Sequence, residues 1–137
     1  MNRTEMRELA FKLIYSLEIQ NTDNIEEQLE LFFQQNGIEN KKIVEYIEDI
    51  ILGINKYNVE IEDIIKKCLT EKWTIERISK INLSILKLAV YEIKYKDIPY
   101  KAEINEAVEL AKKYGEDTSS RFINGALATV VKQMQLI

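Results

Sequence analysis

A single proline, Pro99, interrupts a chain whose apolar residues otherwise keep helical spacing almost from end to end. Proline fixes one backbone torsion, lacks an N–H donor and disfavours helix in the residue before it, so a helix arriving through Lys96 must stop there. A new helix starts just beyond, with Ile104, Ala107, Val108, Ala111 and Tyr114 on one face. Gly115 stands where a left-handed cap would close it. Two helices therefore meet at Pro99. There are only four glycines in all, while Ile, Leu, Glu and Lys dominate, so little supplies the tight turns of a sheet and the pattern predicts an all-α fold.

At 137 residues the chain is expected to form one domain, with an N-terminal helical lobe over 1–70 and a C-terminal helical lobe over 71–137. No apolar run approaches the ~18 residues that span a bilayer, and the N-terminus lacks a signal-peptide core, which predicts a cytoplasmic protein. Cys68 cannot form an internal disulfide and suits a half-buried helix position. There is no histidine, which removes the commonest general base and zinc ligand. The glycines are too scattered to cradle a phosphate. With no nucleophile set beside a base, the chain reads as a non-enzyme without metal or cofactor. Its net charge of −4 argues against general nucleic-acid binding. The distribution is more telling: residues 1–20 carry three basic and three acidic side chains, 21–71 five and twelve, and 72–137 eleven and eight. A polyanion would land on the first helix or the C-terminal half.

The first helix is predicted over Arg3–Gln20, burying Met6, Leu9, Ala10, Leu13, Ile14 and Leu17. Beside that stripe Arg3, Arg7, Phe11 and Tyr15 follow at i, i+4, a row able to hold a phosphate and stack a base. The same row also suits two aromatic rings bordering the core beside two solvated arginines. After a turn at Asn21–Asn24, a second helix runs to Asn36-Gly37. Helical spacing resumes from about Asn40 to Leu69, where Ile-Glu-Asp-Ile-Ile occurs twice, and Gly53, Asn55 and Asn58 predict a break in the middle. The paired acids Glu48-Asp49 and Glu62-Asp63 point apart on a helix and read as a solvated face. Thr70–Thr74 marks the boundary between lobes, with Trp73 as the anchor between them. The next helix, around Ile85 and Leu88, is apolar on most sides and should be the most buried. Glu92 within it is expected to accept hydrogen bonds from Asn105 or the turn near Pro99. In the last helix, Gly125 is expected to permit close helix approach.

Several of these stretches, in order, resemble the NusB family of bacterial transcription antitermination factors. They are Trp73-Thr74-Ile75-Glu76-Arg77, then Ile85 through Ile93, Ile98-Pro99-Tyr100-Lys101, Ile104 through Lys112 and Arg121 through Leu127, with a weaker N-terminal pattern of Arg7, Ala10, Leu13, Tyr15 and Ser16. The resemblance implies two packed three-helix bundles and a heterodimer with NusE, the small-subunit ribosomal protein. That pair would recognise single-stranded boxA RNA in ribosomal RNA leader transcripts, within the RNA polymerase antitermination complex. By motif, Arg3, Arg7, Tyr15, Arg121 and Phe122 would form the RNA surface, and Glu76 with Asn82 the protein-partner surface. Two positions depart from the family's pattern. The N-terminal arginines are sparse, so the isolated chain is expected to bind RNA weakly, and Asn82 stands where relatives commonly carry an acid. The fold also resembles the RNA-binding module of ribosomal RNA cytosine methyltransferases, so one alternative is a part of such an enzyme system; the other is a self-associating helical scaffold, as in relatives whose homodimers cover the RNA surface.

Overall fold

The computed structural model describes all residues except 21–22 and 71–73, so the predicted Trp73 anchor and part of both predicted turns lie outside the described residues. Among those described there are seven α-helices and no strand: α1 Arg3–Ile19, α2 Ile25–Gln35, α3 Lys41–Lys56, α4 Asn58–Cys68, α5 Lys80–Tyr95, α6 Tyr100–Tyr114 and α7 Ser119–Gln133. Their ends follow from local chemistry. Asn2 and Glu5 close a capping box on α1, and Asn24, Asn40 and Ser79 each accept a first-turn N–H of α2, α3 and α5. At the end of α2, Gly37 takes φ +61° while Ile38 N–H reaches back to Phe33 O at 2.9 Å, satisfying a terminal carbonyl. The expected break after Gly53 falls at Tyr57, which ends α3 and begins α4.

Helix α5 is the hub. Every residue from Leu83 to Ile93 is buried, and the helix packs against α1, α3, α4, α6 and α7. Such all-round burial requires neighbours on every side. The core is continuous from Phe11 and Ile14 through Ile47, Ile61 and Ile65 to Leu88, Ile123 and Leu127. The turn into α6 is held by backbone bonds: Lys96 N–H and Ile98 N–H both donate to Glu92 O at 3.2 Å, and Pro99 O accepts from Glu103 N–H at 3.1 Å.

The glycines depart from expectation in informative ways. Gly115 is extended, at φ −91° and ψ −173°, so no left-handed cap closes α6. Its constraint is space, because a Cβ there would lie 2.5 Å from Ser119 Cβ. Gly125 has open space where its side chain would be, so it permits no close helix approach. Gly53 does that instead: a Cβ would overlap the Tyr91 ring, whose hydroxyl donates to Asp49 O at 3.2 Å. In the acidic pairs Asp49 and Asp63 are exposed, reaching Lys96 at 3.2 Å and Lys67 at 2.9 Å. Glu62, however, is half-buried and pairs with the buried Lys87 at 3.1 Å, so the second pair is corrected from a solvated face to one that turns one acid inward. Cys68 is half-buried, donates to Gln133 Oε1 at 3.3 Å, and has its thiol pKa raised by burial.

These contacts predict opposite outcomes for one substitution at two sites. Gly53→Ala should destabilise by about 1–3 kcal/mol through overpacking, whereas Gly125→Ala should stabilise by about 0.5–1 kcal/mol through helix propensity. Urea denaturation of the two variants checks both signs.

Candidate nucleic-acid interface

Arg7 lies on the same side of α1 as Ala10, Phe11 and Ile14; α1 packs on α5 and α3, and the Arg7 guanidinium reaches α6 as well. It is 1% exposed. One guanidinium nitrogen donates to Glu92 Oε1, and another lies 2.5 Å from Glu103 Oε1 without forming an aligned hydrogen bond. Arg7 is thus corrected from a surface RNA contact to an internal ion. The i, i+4 row was real, but it crosses from solvent into the core between Arg3 and Arg7. Phe11, at 2% exposure, has also gone inside.

Arg3 is the exposed end of this cluster. Its side chain is 48% exposed and donates to Glu92 Oε2 at 3.0 Å. Tyr46 of α3 donates to the same oxygen at 3.2 Å. Glu92 therefore accepts from two arginines and a tyrosine, correcting the expectation that Asn105 or the Pro99 turn would serve its carboxylate. The turn meets only its backbone carbonyl. Burial pushes the Glu103 pKa up to about 8, with Glu92's charge adding to the rise and Arg7 opposing it. Burial and the Glu92 charge also raise the Tyr46 pKa.

Tyr15 remains half-buried, its ring stacked on Phe11 at 6.4 Å between centroids. Phe11 in turn meets Tyr114 at 5.1 Å. Two ammonium groups flank that ring, Lys113 at 5.5 Å and Lys12 at 6.0 Å, while Glu8 binds both Lys113, at 2.6 Å, and the Tyr114 hydroxyl. The sequence reading did not single out this basic and aromatic corner, although Lys12 and Tyr15 are one helical turn apart. It also missed Glu103, even though Glu103 extends the Ala107, Leu110 and Ala111 face by one turn.

Arg121 is exposed on the first turn of α7 and lines a cleft of about 270 Å³ with Cys68, Leu69 and Phe122. Phe122 also lines a second cleft, of about 410 Å³, with Arg77, Ser79, Asn82 and Thr118. Phe122 and Asn82, assigned by motif to different surfaces, therefore share one wall. Asn82 is half-buried and its Oδ1 has no protein partner. Glu76 is exposed between α4 and α5, with its pKa lowered by its own backbone N–H and by Thr74.

Among the described residues no group of three metal-binding side chains occurs, and no helix is long and apolar enough to cross a membrane. The helices present exposed arginines, rings and shallow clefts over a core that holds buried ions, the outline of an all-helical binding protein. The sequence profile of the NusB family matches residues 4–132. The chain belongs to that family. The transcription antitermination protein NusB of Acetivibrio thermocellus is 47% identical over 96% of this chain and 90% of its own. That of Clostridium acetobutylicum is 44% identical over 98% of each. The fold matches NusB of T. maritima with TM-score 0.87 at 34% identity, over 97% of this chain and 92% of that one. It also matches a structure of the antitermination factors NusB and NusE in complex with double-stranded RNA, with TM-score 0.86 at 26% identity over 96% of each chain.

Arg7→Met leaves two buried carboxylates without their shared cation and should cost about 3–5 kcal/mol of stability in urea denaturation. The raised Glu103 pKa has its own signature. Between about pH 4.5 and 8 the folded chain holds a proton that the unfolded chain has released, so this contribution to stability is full at the low end and lost as pH rises. Urea titrations at pH 5 and pH 8 should show that loss in the parent protein, and Glu103→Gln should remove it.

Proposed function

We propose that this chain is a cytoplasmic transcription antitermination factor that pairs with NusE, recognises boxA-type RNA in ribosomal RNA leader transcripts, and helps RNA polymerase resist termination. The observation that carries the reading is the likeness, over 96% of each chain, to a NusB held with NusE and RNA. The surface chemistry is compatible with it. Arg3 and Arg121 present guanidinium groups for phosphates, and Tyr15 and Phe122 offer ring faces for unstacked bases. Lys12 and Lys113 add positive charge beside the Tyr114 ring. Arg7 supports this surface from behind rather than touching RNA. Glu76 and Asn82 form the surface for NusE, with Phe122 at the border between the two.

Few cations face solvent on α1, so most of the affinity depends on the heterodimer. The isolated chain should bind single-stranded boxA RNA far more weakly than the heterodimer at physiological salt, and nanomolar affinity of the chain alone would contradict this. In the reconstituted heterodimer, Arg3→Ala and Arg121→Ala should each weaken binding about tenfold and reduce the salt-dependence slope by about one. Fluorescence anisotropy with single-stranded boxA RNA measures both, and a double-stranded competitor separates the two forms of RNA. Unchanged affinity in both variants would remove this surface.

A further inference from the structure

The charge cluster behind Arg3 has an odd balance. Glu92 and Glu103 are 2% and 1% exposed, and among the described residues Arg7 is the one cation as deeply buried beside them. When both are ionised, two carboxylates against one guanidinium leave an excess negative charge that the interior tolerates poorly. Arg3, half in solvent, supplies the balancing charge through its bond to Glu92. Arg3 is also one of the two arginines that the proposed function offers to RNA.

We propose that Glu92 and Glu103 are positioning residues for RNA: Glu92 holds Arg3 at the surface, Glu103 shares the buried Arg7 with it, and when a phosphate takes over Arg3's charge, a solvent proton moves onto Glu103. The inference rests on the RNA-binding reading above. It follows from linkage, because an anion that offsets Arg3 removes the field that keeps Glu103 ionised, and the proton that replaces it must favour binding in return. The groups facing this site agree. Helix α1 supplies Arg3 and Arg7, α5 supplies Glu92, α3 reaches Glu92 with Tyr46, and α7 brings apolar Ile123 and Leu127 to the shared core. Burial and Glu92 already hold the Glu103 pKa at about 8, and Arg3 is among the charges that lower it.

The test is boxA RNA binding by the NusE heterodimer from pH 6.5 to 9, with calorimetry at pH 8 in phosphate and in Tris. The expected result is uptake of about half a proton at pH 8, and affinity falling about three- to tenfold as pH rises from 7 to 9. In Glu103→Gln the affinity should no longer follow pH and the buffer dependence should vanish. Arg3→Ala should also abolish uptake, since its free form already carries the proton. This variant alters a half-exposed side chain, so it decides the question even if Glu103→Gln fails to fold. Binding with no proton uptake in the parent heterodimer, or uptake undiminished in Arg3→Ala, overturns the proposal alone. Absence of RNA binding at every pH removes the RNA reading and this proposal with it.

Discussion

The fold turns on Arg7. A guanidinium carried by α1 and enclosed by carboxylates from α5 and α6 ties three helices at one point, and Tyr46 brings in a fourth. Apolar contact alone would let helices slide by a residue with modest loss, whereas a buried ion must find its partner or bear a large desolvation cost. The cluster therefore contributes little net stability against an apolar replacement but penalises every other alignment of α1 on α5.

A second ion repeats the device further along the same pair of helices. Lys87 of α5, 3% exposed, is held by Glu18 of α1, by Asn58 at 2.9 Å and by Glu62 at 3.1 Å. The polarity is reversed: α1 gives the cation at Arg7 and the anion at Glu18, while α5 gives the anion at Glu92 and the cation at Lys87. Docking α1 in the opposite direction would bury like charges together. Two ion sites of opposite sense thus fix both the position and the direction of α1, and with them where Arg3, Lys12 and Tyr15 stand.

Much of this was legible in the sequence because helix boundaries and apolar stripes are written locally. The single proline, the asparagine caps and the Asn36-Gly37 stop each act within one turn, and each did so. Arg7 was misplaced because spacing gives neighbours on a helix and not depth: Arg3 and Arg7 share a row, yet α5 and α6 cover only one of them. Glu92 was rightly read as a buried acceptor, but its donors come from residues 46 to 89 positions away along the chain, beyond any local pattern. The close-approach glycine was sought at Gly125 and found at Gly53 for the same reason, since what a missing Cβ makes room for is a ring on another helix.

That ring gives Gly53 and Tyr91 a joint history. Adding a methyl at 53 first overlaps the ring, and shrinking the ring first opens a void beside α3 and removes the hydroxyl's bond to the Asp49 carbonyl. Either single step is costly, so the two positions are epistatic and sequence drift must change them together or leave both alone. Gly53 and Tyr91 are thus a volume-matched pair that behaves as a single inherited unit.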